Sequence, residues 1–188
     1  MISAILLLMI EARIFTDSLD DANKKLQELN AINQGQYKIH DEIYRSVDNS
    51  VSLIDEFLRL RVVPENIWNE KAVILALKQT NLRALGKNSH IPLKLQFDTK
   101  QEAKEYLTHH LKDDYVFDFS FSRIGWQYFL PNGDVVDLEV LEDVYPTIEF
   151  KSETDEGIRK LLRLFTISDS EVMRGPSVLA FRNIVKKD

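Results

Sequence analysis

The chain is 188 residues long, 44% hydrophobic and 29% charged, which reads as one globular domain over 1–188 with a core large enough to need no staples. It contains no cysteine, which excludes disulfides, thiolate metal sites and a cysteine nucleophile. With 30 acidic and 24 basic residues the net charge is −6, which argues against a nucleic-acid coat or a basic membrane-surface protein.

The apolar run Ile2–Ile10 lacks the basic start and the small-residue cleavage site of an export signal. It is also far shorter than the ~20 residues of a spanning helix. It reads as a buried strand within Ile5–Phe15, and the expected location is the cytoplasm. A helix follows over Ser18–Leu29, capped by Asp17 or Ser18, with Leu19, Ala22, Leu26 and Leu29 on one face. Strands are expected at Gln36–Ser46, Ser52–Val63, Lys71–Gln79 and Pro92–Phe97, then a helix over Lys100–Leu111 capped by Asp98 or Thr99. Further strands read as Tyr115–Arg123, Trp126–Val140 with a turn at Pro131–Asp134, and Thr147–Ser152. The pair Asn132-Gly133 is a hairpin signal. A helix over Asp155–Phe165 and a tail helix from Pro176 close the chain. Many strands with a few interspersed helices suggest an α+β protein, an antiparallel sheet or barrel with helices packed outside.

The informative feature is charge inside apolar strands. Residues two apart share a strand face, so Glu11 pairs in phase with Arg13, Arg59 with Arg61, Lys94 with Gln96, Asp137 with Glu139, and Glu149 with Lys151 and Thr147. Lys78 ends the apolar run Ala72–Leu77. Two readings follow: a half-buried sheet whose polar face meets water, or a closed sheet whose charged face lines a polar barrel. Such a lining could hold a polyanion on Arg and Lys while carboxylates ligate a hard divalent ion.

These residues, in this order, resemble the CYTH or triphosphate tunnel metalloenzyme superfamily, which includes class IV adenylyl cyclases, thiamine triphosphatases and inorganic tripolyphosphatases. The resemblance runs from Met9 to Leu179. The family opens with Glu-x-Glu-x-Lys. Here Glu11 matches the second glutamate and Arg13 the lysine, with Met9 in place of the first glutamate; a competing register puts Glu11 first. Glu42-Ile43-Tyr44 is similar to its Asp-x-Tyr strand, Leu58-Arg59-Leu60-Arg61 to its Leu-Arg-x-Arg strand, and Lys78 to the lysine ending the next strand. Arg123 alone represents its later basic strand, where Phe119 and Phe121 share the phase. Asp137 and Glu149 have the spacing of its closing acidic pattern, with Glu142-Asp143 in place of Leu-Gly and Thr147 in place of a glutamate.

The resemblance implies a closed antiparallel barrel of about eight strands that binds triphosphates and a divalent metal. Arg59, Arg61 and Lys78 become the phosphate clamp, helped by Arg13, Arg123 and Lys94, with Arg13 and Lys78 as the catalytic cations. Glu11, Asp137, Glu139 and Glu149 become ligands for Mg²⁺ or Mn²⁺. The implied function is metal-dependent chemistry on a tripolyphosphate, nucleoside triphosphate or thiamine triphosphate. Hydrolysis is favoured over cyclisation because no residue pattern reads a base. The alternative is a diverged barrel that binds a phosphorylated anion without turnover. The expected partner is a triphosphate-containing small molecule, with no nucleic acid and no membrane; the resemblance allows a homodimer. His109-His110 reads as a helix-end pair.

Overall fold

Apolar and charged residues alternating at period two form strands, and the structure closes those strands into a barrel. In the computed structural model, which describes residues 9–48, 50–65, 72–83, 85–173, 175 and 177–186, the elements run β1 (Ile10–Phe15), α1 (Asp20–Glu28), β2 (Ile32–Ser46), β3 (Glu56–Glu65), β4 (Val73–Arg83), β5 (Gly86–Phe97), α2 (Lys100–His110), β6 (Tyr115–Phe129), β7 (Val135–Leu141), β8 (Tyr145–Ser152), α3 (Asp155–Leu164) and α4 (Ser177–Val185). The strands form a closed barrel in the order β1-β5-β4-β3-β2-β6-β7-β8, and every pairing given below is antiparallel. Among the described residues no helix is long and apolar enough to cross a membrane.

The differences from the sequence reading have local causes. The apolar residues Ile2–Leu8 and the first residue of the tail helix, Pro176, lie outside the described residues, as does Lys71. Residues Ser52–Asp55 form a turn in which the Ser52 carbonyl accepts from the N–H groups of Asp55 and Glu56 at 3.0 Å, so β3 begins four residues late. The polar stretch Gly86–Ile91 joins Pro92–Phe97 in one strand, β5. β6 runs unbroken through Gly125, where the sequence suggested two strands. The hairpin turn sits where Asn132-Gly133 placed it: Gly133 adopts φ +90°, a conformation open to glycine at little cost, and its N–H donates to the Leu130 carbonyl at 3.0 Å. The N-cap of α1 is Leu19, while Ser18 Oγ accepts from Asp20 N at 3.1 Å. Thr99 caps α2 through a full capping box with Glu102.

The chain divides into two compact units. One comprises Met1–Tyr37, Leu82–Asn88 and Arg123–Gly175. Its core is the apolar face of β1, β7 and β8, where Ala12, Ile14, Val136, Leu138, Ile148 and Phe150 pack with Ala22 and Leu26 of α1 and Ile158, Leu161 and Leu162 of α3. The other comprises Lys38–Asn81, Ser89–Ser122 and Pro176–Asp188. There Leu58, Leu60, Val73 and Leu75 of β3 and β4 are covered by Ala103 and Leu107 of α2. Phe181 of α4 meets Phe121 of β6 at 5.0 Å, and Arg182 and Lys186 fasten α4 to Asp118. In the first unit α1 and α3 cover the apolar strand face, and in the second α2 does, which leaves the charged face of the same strands to be accounted for.

Candidate functional site

The register of the first unit fixes which charges meet. β1 pairs with β8 so that Arg13 stands opposite Glu149 and Glu11 opposite Lys151. β7 pairs with β8 so that Asp137 stands opposite Glu149 and Glu139 opposite Thr147. β6 adds Gly125 opposite Glu139 and Gln127 opposite Asp137. Directly opposed residues share a face, so all of these lie together, away from the apolar face that α1 and α3 cover. Apart from the part-exposed Glu11 and Lys151 they are also dry: Arg13 is 5% exposed, Asp137 1% and Glu139 2%. The reading of a polar face turned to water fails for these residues.

Burying both signs of charge is tolerated only where each finds a partner. Arg13 donates to Glu139 Oε2 through Nη1, to Thr147 Oγ1 at 2.9 Å, and lies 2.7 Å from Glu149 Oε1 through Nη2. Arg123 Nε stands 3.3 Å from Glu139 Oε1, and the Tyr37 hydroxyl donates to the same oxygen at 2.5 Å. Lys151 donates to Asp137 Oδ2 and lies 3.1 Å from Glu149 Oε2. Three carboxylates thus meet three cations, and five of the six carboxylate oxygens are engaged. The sixth, Asp137 Oδ1, is buried with no hydrogen-bond partner among the described residues.

The titration of the three acids follows from these contacts. Burial pushes Glu149 up, but Arg13, Lys151, Arg123 and Lys87 overcome it and hold its carboxyl well below the ordinary 4.5. Glu139 is likewise lowered against its burial, by Arg123 and Arg13. For Asp137 burial wins: Lys151 opposes it, but repulsion from Glu149 and Glu139 helps raise the carboxyl above 3.8. Burial first, then Asp137 and Glu139, lift the Tyr37 phenol, which therefore serves as a hydrogen-bond donor. Ligand atoms of Asp137, Glu139 and Glu149 all lie within 4.8 Å of one another. Hard carboxylate oxygens are what a divalent ion such as Mg²⁺ selects, and the partnerless Asp137 Oδ1 is the open donor, so these residues fit such an ion. Glu11 stands apart from the three, half-buried and 3.8 Å from Lys87.

In the second unit Arg59 and Arg61 share a face of β3 with Asp41 and Ile43 of β2, and with Ile74 and Ala76 of β4. Arg61 grips Asp41 by two bonds of 2.8 Å, Nε to Oδ1 and Nη2 to Oδ2, and Arg59 Nε lies 3.9 Å from Asp41 Oδ1. Lys78 is buried on the same face, opposite Phe57. Lys94 is exposed, on the face of β5 opposite Leu93, Leu95 and Phe97. Glu42 and Tyr44, likened above to the Asp-x-Tyr strand, lie on the other face of β2. Register puts them with Leu60 and Leu58, under α2, where the Tyr44 hydroxyl donates to Glu42 Oε2 at 2.6 Å and Lys100 Nζ reaches Glu42 Oε1 at 2.5 Å. Asp41, one residue earlier, is the acid that meets the arginines. A cavity of about 380 Å³ lined by Leu58, Leu77, Leu93, Leu111 and Tyr115 belongs to the apolar side of this unit.

Sequence reasoning passed over Tyr37, Asp41 and Gln127. An isolated glycine inside a strand signals close approach by another group, and Gly125 is that signal for Tyr37: a Cβ on Gly125 would lie 2.4 Å from Tyr37 Cζ.

No protein-family model and no curated protein sequence matches the chain. Solved structures match it in fold. PH1819 from Pyrococcus horikoshii has a TM-score of 0.73 at 17% identity, covering 96% of this chain and 99% of that one. PH1012 from the same organism has 0.68 at 15%, covering 88% and 94%. HpAC1 from Hippeastrum, whose structure is described as revealing a dominant triphosphatase activity, has 0.64 at 17%, covering 93% and 95%. The closed barrel, with eight strands and four helices among the described residues, is thus the CYTH-type fold that the residues suggested.

Two outcomes are expected. Gly125→Ala should destabilise the chain by roughly 1–3 kcal/mol through overpacking against Tyr37, and the cost should shrink in a Tyr37→Ala background; equal costs in chemical denaturation would separate the two residues. Glu42 is raised by burial but brought below the ordinary 4.5 by its bonds to Lys100 and Tyr44. Its contribution to stability is therefore present above 4.5 and lost as pH falls through the lower folded value. The melting-temperature gap between the parent and Glu42→Gln should close on acidification; a gap independent of pH would exclude this ion pair as its source.

Proposed function

We propose that this chain acts on a triphosphate-bearing small molecule, and that it does so as a phosphohydrolase. The observation that carries the reading is the withdrawal of both signs of charge from water on the strand faces opposite those that α1, α2 and α3 cover. Burial of that kind costs several kcal/mol per ion and adds nothing that an apolar face would not supply to the fold. A polyanionic ligand gives it a purpose. In this reading Arg59, Arg61, Lys78, Lys94 and Arg123 bind phosphate oxygens, the arginines through planar forks that stay protonated at any working pH. Arg13, already committed to Glu139, Glu149 and Thr147, acts as a positioning residue for the carboxylates. A Mg²⁺ or Mn²⁺ ion on Asp137, Glu139 and Glu149, with Glu11 as a further acid, would neutralise charge on the phosphoryl oxygens when bound. Phosphoryl transfer relies chiefly on such positioning and neutralisation, which is what these residues can supply. Purine, thiamine and bare polyphosphate substrates present the same group to the same cations.

A second reading, binding without turnover, is favoured by the engagement of five of six carboxylate oxygens with the protein's own donors. One assay separates the two: phosphate release from tripolyphosphate, ATP and thiamine triphosphate, with Mg²⁺, Mn²⁺ or EDTA, the ATP reaction being checked for cyclic AMP. Release abolished by EDTA is the expected result and ranks the substrates. Cyclic AMP in place of phosphate would make the chain a cyclase. No product, with a rise in melting temperature on adding tripolyphosphate, would leave a binding barrel; no product and no rise would end both readings. Arg59→Ala should weaken tripolyphosphate binding by ~1.5–3 kcal/mol, the worth of a charge-assisted bond, as read by calorimetry; unchanged affinity would remove Arg59 from the clamp.

A further inference from the structure

Lys151 differs from the other cations of the carboxylate cluster. Arg13 is a planar fork held by three acceptors, Glu139, Glu149 and Thr147. Lys151 is a compact point charge on a flexible stem, bonded to Asp137 Oδ2 and 3.1 Å from Glu149 Oε2. It therefore bridges two of the three carboxylates whose ligand atoms converge within 4.8 Å. Its backbone stands opposite Glu11 on one side and Val135 on the other, and its side chain is 14% exposed. A small, hard, positively charged group between two carboxylates has the position and chemistry of a bound metal ion. The buried Asp137 Oδ1 beside it has no partner, which is the state of a ligand set whose occupant reaches only one of the aspartate's oxygens.

We propose that Lys151 is a built-in competitor for the divalent cation of this cluster. A divalent ion reaches Asp137 Oδ2 and Glu149 Oε2 only when the ammonium leaves them, so the parent chain holds Mg²⁺ or Mn²⁺ weakly. Removing the amino group converts the cluster into a tight divalent site. The inference concerns the cation alone and stands whichever anion the barrel takes.

The test is Mn²⁺ binding to the full chain without any phosphate compound, read from the free-Mn²⁺ EPR signal and from the melting temperature. The parent should bind Mn²⁺ no better than in the millimolar range. Lys151→Met and Lys151→Gln, the second retaining a hydrogen-bond donor should the first fail to fold, should bind at least tenfold tighter, because a unit charge beside a divalent one costs more than that even at a high effective dielectric. Their melting temperatures should fall in EDTA and recover with Mn²⁺. Adding Asp137→Asn should remove the gained site. Micromolar binding by the parent that Asp137→Asn abolishes would overturn the proposal. So would a folded Lys151 variant that binds no tighter than the parent, or a gained site that survives Asp137→Asn. The parent titration decides the matter even if neither variant folds.

Discussion

The guanidinium of Arg13 is the contact on which the charged end of the first unit depends. It joins Glu139 of β7 and Glu149 and Thr147 of β8 to β1, and each of those acids lies where water cannot solvate it. Removing Arg13 would leave two carboxylates beside each other with too few cations, and removing either acid would leave a buried fork short of an acceptor. Such losses cost more than the ion pairs return when intact. Arg123, Lys151 and Tyr37 extend the same arrangement around the edges, so the cluster is fixed as a unit and no member is independent of the rest.

The second unit applies the same constraint with fewer parts. Asp41 is almost fully buried and is held by the two parallel bonds from Arg61, a geometry that only arginine provides. On the opposite face of β2, Glu42 and Tyr44 pair beneath α2, and Lys100 and Lys104 of that helix reach the acid. Adjacent residues of one strand thus serve two purposes: Asp41 orders the arginine face, and Glu42 anchors a helix. Strand geometry makes this possible, since neighbours point to opposite sides.

Much of this was legible in the chain because a period of two is simple to read. The pairs Glu11/Arg13, Arg59/Arg61, Asp137/Glu139 and Glu149/Lys151 all occupy the faces their spacing assigned, and Asn132-Gly133 marked the hairpin. What escaped did so for physical reasons. The resemblance pointed to Glu42-Ile43-Tyr44 and left Asp41 unnoticed, although neighbours in a strand lie on opposite faces. Tyr37 carries no charge and reads as core until a buried acid is placed beside its hydroxyl. The sequence reading ended one strand at Arg123 and began the next at Trp126, because the purpose of Gly125, room for that ring, lies in a distant segment. The pairing of every carboxylate with a resident cation depends on register between strands far apart in sequence, which spacing within one strand does not encode.

The burial of these charges also decides how the protein should respond to ionic strength. Mobile ions screen exposed pairs over about 10 Å at moderate salt but have little access to groups out of water. Surface contacts such as Lys25–Glu28 and Arg163–Glu156 belong to the first kind; the ring of Arg13, Glu139, Glu149 and Lys151 belongs to the second. Concentrated salt would therefore fade the decoration of α1 and α3 while leaving the charged interior ordered, so the polarity of the inner surface is a fixed property of the fold, set by the chain itself and not by the surrounding electrolyte.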